Sequence, residues 1–97
     1  MKKFTILIPV FNDWESLDKL FMNINKNIKN IKSAKFNCVV INDCSTIETP
    51  KINIPTNIGS IKIIHMNENR GHARCNAFGI KYLSKNQDLD YVILMDG

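Results

Sequence analysis

Phe4-Thr5-Ile6-Leu7-Ile8 is an almost unbroken apolar run, closed by Pro9. A strand with one wet face alternates apolar and polar residues, whereas a strand buried on both faces reads like this one. Such strands belong to parallel sheets covered by helices on both sides. Proline is expected to end the strand, because it has no N–H to give to a ladder.

Working outward, Asn12 and Asp13 supply turn and helix-cap chemistry. Leu17, Leu20, Phe21, Ile24, Ile28 and Ile31 then recur at helical spacing, predicting a helix with one apolar stripe. Phe36–Ile41 predicts a second buried strand, ending in Asn42-Asp43-Cys44-Ser45-Thr46. Residues 47–60 contain Pro50, Pro55 and Gly59 and read as a loop, with Ile52, Ile54 and Ile58 placed to cover part of the core. A third strand is expected over Ile61–His65. A helix follows from about His72 to Ser84, its inner face assigned to Ala73, Ala77, Ile80 and Leu83, and a fourth strand spans Tyr91–Met95. The fold class is therefore α/β: a Rossmann-like, mostly parallel sheet of about four strands with flanking helices and right-handed crossovers.

The 97 residues suit one small domain or half of a larger one, and their 44% apolar content is enough for a core. The net charge is +4, with lysines spread along the chain, as at Lys26, Lys29, Lys32 and Lys35. No basic stripe with interleaved aromatics is visible, so no nucleic-acid partner is expected. Cys38, Cys44 and Cys75 show no CxxC spacing, and neither His65 nor His72 has a ligand-spaced cysteine, which argues for reduced thiols and against zinc. The N-terminal apolar stretch is too short for a membrane span. The expected setting is cytoplasmic, with the inner face of a membrane as a further option.

In open α/β sheets, ligands bind outside the carboxyl ends of the strands, where strand order reverses. Here those ends carry Pro9, Val10, Phe11, Asn12 and Asp13, then Asn42 and Asp43, then Asn69, Arg70, Gly71 and Arg74, and finally Asp96. A nucleoside diphosphate suits this set. Phe11 offers a stacking face and Asp43 an acceptor for a base N–H. Asn69–Gly71 precede a helix N-terminus, and Arg74 is a fixed cation for phosphate. Asp96 suits a ribose hydroxyl or a divalent metal. Each residue also has a plain structural role open to it: Pro9 as a strand stop, Phe11 as core, Asn12 or Asp13 as a cap, Asp43 as a turn acid, Arg74 as a solvated helix residue, Asp96 as a loop acid. Trp14 beside them reads equally as packing or as a lid contact. Their shared edge is what favours a site.

Ile-Leu-Ile-Pro-Val-Phe-Asn (6–12), Val-Val-Ile-Asn-Asp-Cys-Ser-Thr (39–46), Asn-Arg-Gly-His-Ala-Arg-Cys-Asn (69–76) and Ile-Leu-Met-Asp-Gly (93–97) together resemble family 2 glycosyltransferases of GT-A fold. The resemblance covers nearly the whole chain. It implies base and ribose contacts at Pro9 through Asp13, base framing by Ile41 and Asp43, a diphosphate-side motif at Gly71 and Arg74, and the first acid of an Asp-x-Asp motif at Asp96. It also implies a divalent metal (Mn²⁺ or Mg²⁺) held in part by Asp96, a nucleoside diphosphate sugar such as a UDP-sugar as donor, and a glycan or lipid acceptor. The chain departs from the family pattern at Phe11 (commonly Tyr), Asn42 (commonly Asp), Cys44 (commonly Gly) and Cys75, which interrupts the Ala-Arg-Asn run. Residues 1–97 are expected to be the N-terminal nucleotide-binding part of such a domain, truncated at Asp-x-Asp, with no catalytic residue inside it. A second expectation is a non-catalytic nucleotide-binding module, or one that self-associates into a homo-oligomer through exposed surface. A dinucleotide oxidoreductase is disfavoured by the absence of G-x-G-x-x-G after the first strand. The lack of a Gly-rich loop and activating Lys there disfavours a nucleotidyltransferase.

Overall fold

A computed structural model describes residues 1–85 and 89–96. The element order is β1 (Lys2–Val10), α1 (Trp14–Ile28), β2 (Ala34–Asn42), β3 (Ile61–His65), α2 (His72–Lys85) and β4 (Tyr91–Leu94). The four strands form one sheet in the order β3-β2-β1-β4. Every pairing is parallel, with Leu7 opposite Val39 on one side and Leu94 on the other. The chain steps outward from β1 to β3, then returns to place β4 on the far side of β1. That reversal is the switch point at which α/β sheets take ligands.

Side-chain alternation along β1 and β2 explains why two helices are needed. Ile6, Ile8, Val10, Phe36, Cys38 and Val40 join the stripe of α1, which buries Trp14, Leu17, Phe21, Ile24 and Ile28. Leu7, Val39 and Ile41 face the other way and pack against Cys75 and Leu83 of α2. Asp13 caps α1 by accepting the Ser16 N–H at 3.3 Å.

Four expectations need correction. Pro9 does not end β1, which continues to Val10. Val10 C=O accepts from Asp43 N and Leu7 C=O accepts from Met95 N, so the backbone groups of Pro9 face β4. The last β1–β4 pair is Leu7 with Leu94, so the missing N–H falls where no ladder bond is needed. Helix α1 stops at Ile28, and Ile31 lies in the turn beyond it, 45% exposed. Asn27 Nδ2 donates to the Asn23 carbonyl at 2.8 Å, in competition with the ladder of the last turn. The inner face of α2 is Cys75, Gly79 and Leu83; Ala73, Ala77 and Ile80 are exposed. A Cβ on Gly79 would stand 2.6 Å from Leu7 Cδ1, so glycine, not alanine, is what lets α2 approach the sheet. Strand β4 ends at Leu94, one residue before the expected Met95.

The β2–β3 crossover, residues 43–60, is a loop as expected. Ile58 is buried and Ile52 packs on the α1 side of the core, while Ile54 is exposed. Among the described residues, no helix is long and apolar enough to cross a membrane.

Candidate functional site at the carboxyl edge of the sheet

Asp43 is the centre of the edge. It follows β2 directly and is 1% exposed, yet it is a carboxylate. Its Oδ1 accepts the Arg70 N–H at 2.7 Å and its Oδ2 the Gly71 N–H at 2.8 Å. Asn69 Nδ2 donates to the Asp43 carbonyl at 3.2 Å. Burial acts to raise the Asp43 pKa; the Arg70 and Gly71 N–H groups, the Cys75 thiol and the His72 charge outweigh it and hold the pKa below the usual carboxylate value. Burial chiefly, and then Asp43 itself, push the Cys75 thiol up to about 12. Gly71, at φ +84°, is in the left-handed region that glycine enters freely, and this turns the chain from Arg70 into α2. Asp43 thus fixes the start of α2 and supplies the negative charge that a helix N-terminus favours.

Asn12 forms a second cluster. At φ +60° its side chain reaches the β2 loop, where Oδ1 accepts Thr46 N at 2.8 Å and Ile47 N at 2.9 Å. Its Nδ2 donates to Thr46 Oγ1 at 3.0 Å, and its own N–H goes to Ser45 Oγ at 2.9 Å. Trp14 Nε1 donates to Ile47 C=O at 3.2 Å, so the indole is both core packing and a tie to this loop. Asn42 joins the next pair of strand ends: Nδ2 lies 2.9 Å from His65 Nδ1 while Oδ1 accepts from Ser45 N at 3.1 Å. Asn42 thus bridges the end of β3 and the loop after β2.

Of the residues singled out from the sequence, Asp43 and Gly71 are in direct contact. Pro9, Val10 and Ile41 are buried in the sheet. Asp13 caps α1 and Asn12 latches two loops, so both have structural work. Phe11 is 39% exposed at the end of β1, leaving ring surface open. Asp96 is exposed after β4. Arg74 is exposed in a groove of about 370 Å³ lined by Met66, Arg70, Ala77 and Phe78, none of them from β1 or β4. Gly97, the second position of the expected Asp-x-Asp, lies outside the described residues. Sequence reasoning missed the Cys75 thiol and the Ser45-Thr46 latch. Asn12 followed by a cap residue was the one local signal for the latch, since Asn tolerates positive φ.

Metal binding was tested against the donor set. Among the described residues, no group of three His, Cys, Asp or Glu side chains converges on one point. Asp96 is a single acid, and both oxygens of Asp43 are engaged by backbone N–H groups. The described residues do not by themselves form a metal centre.

An all-parallel sheet with a helix on each face and its polar residues gathered at the carboxyl edge defines an open Rossmann-like α/β protein. The family model for glycosyl transferase family 2 matches residues 5–97, and the chain belongs to that family. The architecture agrees with part of the GT-A fold, and membership supports a glycosyltransferase-type role with, in general, a nucleotide-sugar donor and an acceptor. No curated protein matches the chain.

Proposed function

We propose that residues 1–97 form the donor-binding, N-terminal part of a glycosyltransferase domain that transfers a sugar from a nucleoside diphosphate sugar to a glycan or lipid acceptor in the cytoplasm. The observation that carries this reading is the buried, ionised Asp43 at the carboxyl end of β2. A carboxylate has about four lone-pair sites. Backbone N–H groups use two of them here and the Cys75 thiol a third, which leaves one for a base N–H. The exposed Phe11 ring gives the base a stacking face, in the strand framed by Pro9, Val10 and Ile41. The N–H groups opening α2 and the Arg74 guanidinium receive the diphosphate. Asp96 takes a ribose hydroxyl; toward a Mn²⁺ or Mg²⁺ ion it would contribute a single ligand. We assign no catalytic base within residues 1–97.

Thermal melting and calorimetry with UDP, GDP and their sugars, with and without Mn²⁺, test this. One nucleotide is expected to raise Tm, by the amount that about 2.7 kcal/mol supplies at a hundredfold excess over Kd. Phe11→Ala is expected to weaken that binding without lowering the apo Tm. Unchanged Tm and no heat with every nucleotide would sink the reading.

A second reading, a self-associating module, rests on the outer side of β4. Tyr91 and Leu94 are half exposed there. A neighbouring apolar groove of about 350 Å³ is lined by Leu20, Ile24, Ile28, Ile93 and Met95, among others. Open strand edges beside apolar surface invite pairing with another chain. Light scattering that shows only monomer at high concentration would exclude it.

A further inference from the structure

The lysines and arginines look scattered along the sequence, but the fold collects five of them on one face. Lys62 lies on the outermost strand β3, Arg70 just before α2, and Arg74, Lys81 and Lys85 on α2 itself. Helix α2 contains no Asp or Glu. Among the described residues Glu68, at 2.5 Å from Arg70, is the one acid in an ion pair with this group. Five cations against that one acid leave the group strongly positive.

Helical geometry makes the grouping compact. At 3.6 residues per turn, Arg74, Phe78, Lys81 and Lys85 fall within about 60° of one another, on the side of α2 away from Cys75, Gly79 and Leu83. One large apolar side chain stands among the cations instead of in the core: Phe78 is 38% exposed and lines a groove with Arg70 and Arg74. A merely solvated helix face has no use for it. Lys62 Nζ donates to Tyr82 Oη and lies 5.1 Å from its ring centroid, which joins β3 to the same surface.

We propose that the outer face of α2 with Lys62 is a docking surface for an anionic phospholipid bilayer. Charge complementarity selects an anionic occupant. The apolar residue selects a bilayer over a nucleic acid: Phe78 is stacked on Tyr82, with centroids 6.5 Å apart and planes 17° from parallel, so that face is not free for a base. Its exposed side can enter the headgroup–acyl boundary beside basic residues bound to lipid phosphates. Resting on α2 in this way leaves the carboxyl edge of the sheet uncovered, beside the membrane plane. The surface shares Arg74 with the proposed diphosphate site, so the variants that test it lie on Lys81, Lys85 and Phe78, outside that site.

Co-sedimentation of the 97-residue chain with vesicles tests it. Binding is expected to phosphatidylcholine vesicles containing phosphatidylserine, to be absent with phosphatidylcholine alone, and to fall as salt is raised. Each lysine near the surface is worth about a fivefold change in binding, so Lys81→Ala with Lys85→Ala should weaken it by about 30-fold. The matched pair Lys26→Ala with Lys29→Ala, on the opposite side of the sheet, should leave it unchanged. Phe78→Ser should weaken binding at constant charge; melting curves confirm that each variant is folded. Equal binding to both vesicle types, equal loss from the α1 pair, or tighter retention by single-stranded RNA than by the anionic vesicles would overturn the proposal.

Discussion

Asp43 Oδ2 accepts the Gly71 N–H at 2.8 Å across 28 residues of sequence, tying the carboxyl end of β2 to the first turn of α2. With the Arg70 bond to Oδ1, this buried carboxylate holds together the edge on which every proposed ligand contact depends.

Asp43→Asn should lower stability by about 2–4 kcal/mol, because the new NH₂ meets a backbone N–H and leaves it unpaired. Urea denaturation measures this. The contribution has a definite pH dependence. The folded pKa lies below the unfolded value of about 3.9, so the stabilisation is present above about pH 4 and fades as pH falls towards the folded pKa. The gap between wild type and Asp43→Asn should therefore narrow below pH 4; a gap constant down to lower pH would contradict the assignment.

Gly79→Ala should cost about 1–3 kcal/mol by overpacking. Its Cβ would meet Leu7 Cδ1 at 2.6 Å and Cδ2 at 2.7 Å, and Leu7 is fully buried with nowhere to move. Leu7→Ala alone is also destabilising, by about 2–5 kcal/mol. The double variant should be less destabilised than the sum of the two, since each change relieves the other. Simple additivity would show that the contact is not tight.

Cys44→Gly should raise stability. Cys44 holds φ +59°, a region that costs an L-residue about 1–2 kcal/mol. Glycine gives back roughly 0.5–1 kcal/mol in chain entropy, so a gain of at most about 1 kcal/mol is expected in a melting experiment. Asn12, at φ +60°, should behave in the opposite way. Asn12→Gly relaxes the backbone but abandons the bonds to Thr46 and Ile47, and should be destabilising.

Thiol labelling should separate the three cysteines. Burial pushes Cys38 up to about 12, and Cys75 is raised to the same level. At pH 8 on the order of 1 in 10,000 of either is thiolate, and reactivity follows the thiolate. Only the partly exposed Cys44 should react promptly in the folded protein, with the other two following on unfolding. Rapid reaction of two thiols would place Cys38 or Cys75 nearer solvent than described.

The sheet was legible because Phe4–Ile8 and Phe36–Ile41 are apolar on both sides of the strand, a pattern that only a covered parallel sheet explains. The stripe from Leu17 to Ile28 was legible for the same reason of period. The face of α2 was not. Its deepest position is Gly79, which has no side chain to register as apolar, while Phe78 and Ile80 are apolar and outside. The edge location of Asp43 could be read from strand order. Its partners could not, because Arg70 and Gly71 contribute backbone N–H groups, which every residue but proline has. The Asn42–His65 contact joins residues whose proximity exists only once β2 and β3 align. The basic face of α2 needed the same assembly: Lys62 and Lys85 are far apart in the chain.

Pro9 lies in the strand at which the chain reverses direction across the sheet. In a regular parallel ladder the Met95 carbonyl would next receive an N–H from residue 9, and Pro9 has none. The seam between β1 and β4 thus lacks one rung at the edge where the polar residues gather, and the absence of a single hydrogen atom leaves the Met95 carbonyl without a donor at residue 9.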